Sequence, residues 1–345
     1  MGKLRIGLIG AGCIGTVHAN SVKAIEEAEL SAIVDIRLER AKALAEKHGV
    51  EKVYEDYVEM LDREQPDAVI IATPNYLHAK MTIDALNRGV HVFCEKPMAM
   101  NAREAEKMVE ARNKSGKILM LGMCQRFRND SKAIRNVVLG GELGSVYFTK
   151  ITLLRRAGIP GMGSWFTTKA FSGGGPLIDL GPHVLDLALW LQDFPRPVSA
   201  KGYTFSKLGT QNKCLGGWGI PEPGGPFDVE DLAVALIRLE GGGVMYLETS
   251  WALYTKDDTF NIILSGDKAG ASLTPPCKFT EVDGKWVETG IECQEANVYL
   301  EEMKHFVECI RRNTSPGPLP EHGVIVMRLI DAIYRSASTG NEEKV

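Results

Sequence analysis

Apolar and polar positions follow two different rhythms along this chain, and the change comes near residue 123. Before it, short and wholly apolar runs are separated by amphipathic stretches. Leu4 to Ile9, Leu30 to Val34, 68–72, 90–94 and 118–122 read as strands buried on both faces. Between them, apolar residues recur three and four apart in 37–48, 56–63, 76–88 and 102–115, the spacing of one helix face. A further helical pattern follows the first strand and runs toward Glu29. Such alternation predicts a parallel sheet with helices on both sides. Asn101 and Glu104 have the spacing of a capping box at the head of the 102–115 helix.

After Met123 the pattern predicts a helix over 129–140 and a long strand from Val146 to Arg155. A loop with Gly158, Pro160, Gly161, Gly163, Trp165 and Phe166 comes next. Strands are expected at 198–205, 229–239, 243–253, 259–265 and 270–274, and one more over 278–289. Consecutive strands joined by turns such as Glu240-Gly241-Gly242-Gly243 predict an antiparallel sheet. Residues 207–227, rich in Gly, Pro and Trp, form a long loop suited to a substrate lid or an oligomer contact. Helices over about 296–312 and 320–337 close the chain. The expected division is an α/β domain over 1–123 and an α+β domain over 124–345, the second with a large, open and mostly antiparallel sheet.

Composition narrows the class without naming it. A hydrophobic content of 44% and a charged content of 24% are those of a soluble globular protein, and a net charge of −4 argues against a nucleic-acid partner. The seven cysteines show no C-x-x-C pairing, which reads as reduced thiols in a cytoplasmic protein and neither a disulfide frame nor a metal site. Residues 1–10 lack a signal peptide's apolar core, Ile6 breaks the myristoylation pattern that begins at Gly2, and no apolar run is long enough to span a membrane.

Gly10-Ala11-Gly12-Cys13-Ile14-Gly15 follows the first strand and opens a helix. In that context the glycines make a tight turn, admit a pyrophosphate to the backbone and let helix and strand pack closely. The helix N-terminus then offers N–H groups to phosphate. Asp35, at the end of the second strand, suits the adenosine ribose hydroxyls and repels a 2′-phosphate, so NAD is expected over NADP. Arg37 and Arg40 nearby read first as exposed helix charges, with a softening of that preference toward NADP as the alternative. Ligands of such sheets sit at the carboxyl ends of strands, which draws in Ala72-Thr73-Pro74-Asn75 with His78, and Cys94-Glu95-Lys96-Pro97. A lysine leaving a buried strand there can polarise a hydroxyl, and Pro97 restricts its backbone.

The second half is organised around Gly173 to Asp186. Its three glycines suit close approach to a flat ligand, and Pro176 suits a first helical turn. The apolar run to Leu191 reads as one buried helix, with Asp179 and His183 on one face, four apart. A carboxylate that orients an imidazole suits proton transfer, whereas metal ligation with Asp186 lacks a His or Cys cluster.

With the fingerprint, Glu95-Lys96-Pro97 and Gly173–Asp186 in this order, the sequence resembles the glucose–fructose oxidoreductase/inositol dehydrogenase (Gfo/Idh/MocA) family over essentially its whole length. The resemblance implies an N-terminal Rossmann domain and a C-terminal domain whose open sheet makes dimer or tetramer contacts. It implies Lys96, Asp179 and His183 as catalytic residues, with His183 as general base, Asp179 orienting it and binding substrate, and Lys96 holding the hydroxyl. Cofactor contacts are implied for Gly10, Gly12, Cys13, Ile14, Gly15, Asp35, Thr73, Pro74, Asn75, His78, Glu95 and Lys96, and a substrate border for Arg126 and Trp165. Pro182, before His183, departs from the usual motif and removes a helical N–H. The implied reaction is oxidation of a secondary alcohol on a sugar or cyclic polyol, with hydride passing to nicotinamide C4. A redox-neutral, NAD-dependent glycosidase and a non-catalytic dinucleotide sensor are the alternatives.

Overall fold

The computed structural model describes residues 2–345. The chain forms two compact units, residues 1–124 with 297–324, and residues 125–296 with 325–345.

In the first unit the order is β1 (Leu4–Ile9), α1 (Cys13–Lys23), β2 (Ala28–Val34), α2 (Leu38–His48), β3 (Val53–Tyr54), α3 (Tyr57–Glu64), β4 (Ala68–Ile71), α4 (Asn75–Asn87), β5 (His91–Cys94), α5 (Ala102–Ser115) and β6 (Leu119–Leu121). The six strands lie in the order β3-β2-β1-β4-β5-β6, and every pair is parallel. This is the doubly wound Rossmann arrangement, whose order reverses beside β1, where the Gly10–Gly15 turn lies. Ile6, Leu8, Val69, Ile70, Val92 and Phe93 are fully buried in the sheet, as the apolar runs predict. The Asn101 side chain accepts the Glu104 N–H at 3.0 Å and caps α5, while Glu104 reaches back to the Met100 N–H.

Residues 297–324 were expected in the second domain, but they belong to the first unit. The reason is α10 (Val298–Arg312), whose apolar face packs on α1. Phe306 of α10 meets Phe93 of β5 edge-on, with ring centroids 5.7 Å apart.

The second unit carries α6 (Asn129–Leu139), β7 (Val146–Leu154), α7 (Lys169–Ser172), α8 (Pro176–Asp179), α9 (Gly181–Leu191), β8 (Pro197–Phe205), β9 (Leu232–Leu239), β10 (Val244–Ser250), β11 (Thr259–Gly266), β12 (Gly270–Ser272), β13 (Cys277–Val282) and β14 (Lys285–Gly290). Helix α11 (Pro320–Thr339) and the short β15 (Glu343–Lys344) end the chain. The sheet has nine strands in the order β14-β13-β12-β11-β7-β10-β9-β8-β15. It is antiparallel except between β7 and β10. One face carries Ile151, Ala235, Ile237, Met245, Leu247, Ile262 and Leu264, all buried, with α9 packed against β7. Among the described residues no helix is long and apolar enough to cross a membrane.

Two expected elements are divided. The strand expected over 278–289 is a hairpin, β13 and β14, turning at Asp283-Gly284, where both residues have positive φ. The helix expected to run unbroken to Leu191 is two helices that part at Leu180. Pro182 has no N–H to continue the ladder, and the His183 N–H bonds back only three residues, to the Leu180 carbonyl at 3.1 Å.

Candidate active site

The first unit holds a nucleotide-binding end built from three strand exits. Gly10 has φ of +103°, and a Cβ there would lie 2.4 Å from the Ala72 carbonyl oxygen. A Cβ on Gly15 would lie 1.9 Å from the Gly10 carbonyl oxygen, so only glycine lets α1 start this close to β1. A Cβ on Gly12, the N-cap of α1, would meet nothing within 4 Å. Bare backbone at a helix N-terminus with open space in front of it fits a pyrophosphate. Cys13, exposed, and Ile14 open the first turn of α1.

Asp35 stands at the exit of β2. Its Oδ2 accepts the Ala11 N–H and its Oδ1 the Arg37 N–H, each at 2.8 Å. The carboxylate therefore fixes the glycine turn and keeps lone pairs for ribose hydroxyls. These residues fit the adenosine diphosphate half of a dinucleotide.

The other two exits are joined by His78. Its Nδ1 lies 2.7 Å from the Pro97 carbonyl and its Nε2 2.9 Å from the Thr73 carbonyl. Burial lowers the pKa of this imidazole, while the two carbonyls pull the other way. His78 is 1% exposed and lies between the Thr73-Pro74 and Lys96-Pro97 turns; in its neutral form it donates to one of the two carbonyls, the tautomer deciding which. Pro74 is the N-cap of α4 and Asn75 its first residue. Glu95 is buried, and its Oε2 accepts the Lys96 N–H at 3.0 Å. Lys96 is half-buried and joined to Pro97 by a cis bond.

The second unit brings Asp179 and His183 to the junction of α8 and α9, both half-buried. Two of the three glycines ahead of them, Gly174 and Gly175, are packed against the protein's own groups. A Cβ on Gly174 would fall 2.0 Å from the Tyr334 hydroxyl oxygen, and one on Gly175 would fall 1.9 Å from the Glu230 carbonyl oxygen. Glu230 Oε1 accepts the Leu177 N–H at 3.1 Å and the Tyr334 hydroxyl at 2.8 Å. Burial raises the Glu230 pKa. Asp179 Oδ2 accepts the Trp251 indole N–H at 2.8 Å. Trp251 is fully buried among Ile159, Leu180, Leu208 and Val229.

Arg126, expected at the substrate border, is 3% exposed and turned toward α9. Its Nε and Nη2 meet the two carboxylate oxygens of Asp186 at 2.7 and 2.5 Å, a bidentate buried pair. It anchors the helix that carries His183. Trp165 is half-buried and stacked on Phe166, with ring centroids 3.8 Å apart. Sequence reasoning missed Trp251, Glu230 and Asp231. Asp231 Oδ2 accepts the N–H groups of Lys207, Leu208 and Gly209 at 2.7, 2.6 and 2.9 Å, closing the base of the 207–227 loop.

Similarity to known proteins agrees with both halves. Residues 4–123 match the oxidoreductase family with an NAD-binding Rossmann fold, and residues 131–271 match the GFO/IDH/MocA C-terminal domain. The D-glucoside 3-dehydrogenase of Escherichia coli K12 is 39% identical over 340 residues, covering 98% of this chain and 96% of that protein. The myo-inositol 2-dehydrogenase of Thermotoga maritima is 27% identical, covering 96% of each. An oxidoreductase domain protein from Kribbella flavida has the same fold, with a TM-score of 0.87 and 23% identity over the whole of both chains. This chain is thus an NAD-binding oxidoreductase and belongs to the GFO/IDH/MocA family.

Proposed function

We propose that this protein oxidises a secondary ring hydroxyl of a hexose glycoside, at carbon 3 of a D-glucoside, with NAD as acceptor. The observation that carries this reading is that Lys96, Asp179 and His183 are all present in a chain 39% identical, almost end to end, to a D-glucoside 3-dehydrogenase. Bound NAD supplies the two-electron acceptor for the carbon-bound hydrogen. The chain's own work is proton handling and orientation. In this reading the His183 imidazole takes the hydroxyl proton, and the Lys96 ammonium steadies the charge that grows on the oxygen. Asp179, with Oδ2 held by Trp251, orients the imidazole and bonds a neighbouring sugar hydroxyl. Asp35 directs the choice toward NAD, because its carboxylate would face a 2′-phosphate with like charge.

Trp165 and the packed 157–168 and 207–227 loops are the proposed walls for the rest of the sugar. These loops are joined by the Gly161 N–H to the Trp218 carbonyl and the Gly216 N–H to the Ile159 carbonyl, each at 2.8 Å. We assign a homodimer to the open face of the nine-stranded sheet. Leu236, Tyr246 and Ile263 lie in one cross-strand row with Lys150 and Lys201, and Glu248 lies one row away. A two-fold pairing of that face can set lysine on glutamate and apolar on apolar.

The test is purified protein with NAD or NADP and a panel of methyl glucosides, free aldoses and inositols, followed by nicotinamide absorbance and product analysis. The expected result is NADH formed with glucosides, giving the 3-keto product. Tight NAD binding with no NADH from any sugar would refute the reading, and glycoside cleavage without net NADH would replace it with the redox-neutral glycosidase. Lys96→Ala and His183→Asn are each expected to lower turnover by about 10²–10⁴ while NAD still binds.

A further inference from the structure

Three buried titratable side chains of the first unit meet in its interior, and two of them, His18 and Glu302, have no part in the chemistry described so far. His18 comes from α1, Glu95 from the end of β5 and Glu302 from α10, and their polar atoms lie within 4.8 Å of one another. His18 Nε2 is 2.6 Å from Glu95 Oε1. The other oxygen of Glu95 accepts the Lys96 N–H. Glu302 is fully buried, and neither of its carboxyl oxygens has a hydrogen-bond partner. The His18 ring is edged by Phe93 and Tyr299, with centroids 5.0 and 6.1 Å away.

Charge decides what this cluster can hold. A carboxylate in an apolar interior survives as an ion only with donors or a cation against it. His18 is committed to Glu95, and its Nδ1 has no hydrogen-bond partner, so the tautomer with hydrogen on Nε2 satisfies the pair. Two carboxyl groups at this separation away from water favour one charge over two. A divalent cation is the rival occupant, but a 2.6 Å nitrogen–oxygen separation is that of a shared proton.

We infer that Glu302 is held as a neutral carboxylic acid and that it acts, through the His18–Glu95 pair, as a positioning residue for Lys96. Burial and the Glu95 charge both push the Glu302 carboxyl well above the usual carboxylate range. The titratable groups around the cluster are His18 on α1, Glu95 and the adjoining Lys96 after β5, Cys124 after β6 and Tyr299 on α10. With Glu302 neutral, Glu95 is the one carboxylate, and its oxygens stay on His18 and on the backbone of Lys96. An ionised Glu302 would repel Glu95 and compete for the His18 proton, loosening the turn that carries the lysine. The positioning role rests on the proposed catalysis by Lys96, whereas the protonation of Glu302 does not.

The experiment compares the full-length protein with Glu302→Gln and Glu302→Ala. Infrared difference spectra at neutral pH are expected to show a protonated-carboxyl stretch in the unsubstituted protein that Glu302→Gln lacks. Glutamine is a neutral acid's nearest match in shape, so Glu302→Gln is expected to restore most of the turnover that Glu302→Ala loses. That loss is expected to be about tenfold in kcat with the Kd for NAD changed by about twofold or less. Absence of the protonated-carboxyl band overturns the inference, as does stoichiometric metal that a chelator removes from the unsubstituted protein and not from Glu302→Gln. If the band is present but Lys96→Ala turns over normally, the catalytic reading of Lys96 fails, and the positioning role with it, while the neutral acid stands.

Discussion

Trp251 donates its indole N–H to a half-buried carboxylate and so holds one oxygen of Asp179. A hydrogen bond to a charged group contributes about 1.5–3 kcal/mol. Trp251→Phe keeps most of the ring's volume and deletes the donor. We expect kcat to fall about tenfold or more with a small change in melting temperature; an unchanged kcat would show that Asp179 is oriented by other contacts. At Asp35 the expectation is selective. Asp35→Ser should raise the KM for NAD by about tenfold and leave NADP little affected, read as the ratio of the two cofactors' kcat/KM. Lys96, Asp179, His183 and Asp35 could be proposed from sequence because each sits in a short motif with its own spacing. Trp251 and Glu230 were not, since a tryptophan in one strand and a glutamate before another carry no local mark of the helix they support. Nothing in the sequence around Arg126 marks the pairing of its guanidinium with Asp186 in the interior.

Secondary-structure elements were legible wherever the apolar period was unambiguous, as in all six strands of the first sheet except the two-residue β3. The misreadings lie where turn chemistry competes with hydrophobicity. Asp283-Gly284 is a hairpin signal inside a run that otherwise reads as one strand. Gly181-Pro182 divides an apolar stretch whose composition suits a continuous helix. The dipeptide Glu230-Asp231 links two elements that sequence separates. Glu230 holds the N-terminal turn of α8, and Asp231 holds the start of the 207–227 loop. Asp231→Asn gives up the charge on an oxygen that takes three N–H groups. We expect about 2 kcal/mol of destabilisation by denaturant titration, together with faster cleavage within 207–227 by added protease. Cleavage at the same rate as in the unsubstituted protein would mean that the contacts with 157–168 hold the loop by themselves.

For the molecule as a whole, the open sheet face and the discontinuous first unit carry the remaining consequences. Leu236 is 52% exposed in the middle of that face. Leu236→Asp puts a buried, unpaired charge into the proposed dimer and is expected to give monomers by light scattering at concentrations where the unsubstituted protein is dimeric. A dimer that persists would move the interface elsewhere. The two-domain organisation was legible from the change in rhythm near residue 123, but the return of 297–324 was not. An amphipathic helix announces that it has a partner and not which one. That return bears on how the protein is made. A ribosome releases His18 and Glu95 early, yet the helix bearing Glu302 emerges only after the whole nine-stranded sheet except its final short strand. During that interval the side of α1 that will meet α10 must be left bare or borrowed by something else, so the nascent nucleotide-binding half has a stretch of synthesis in which it can attract chaperones before the chain can finish it.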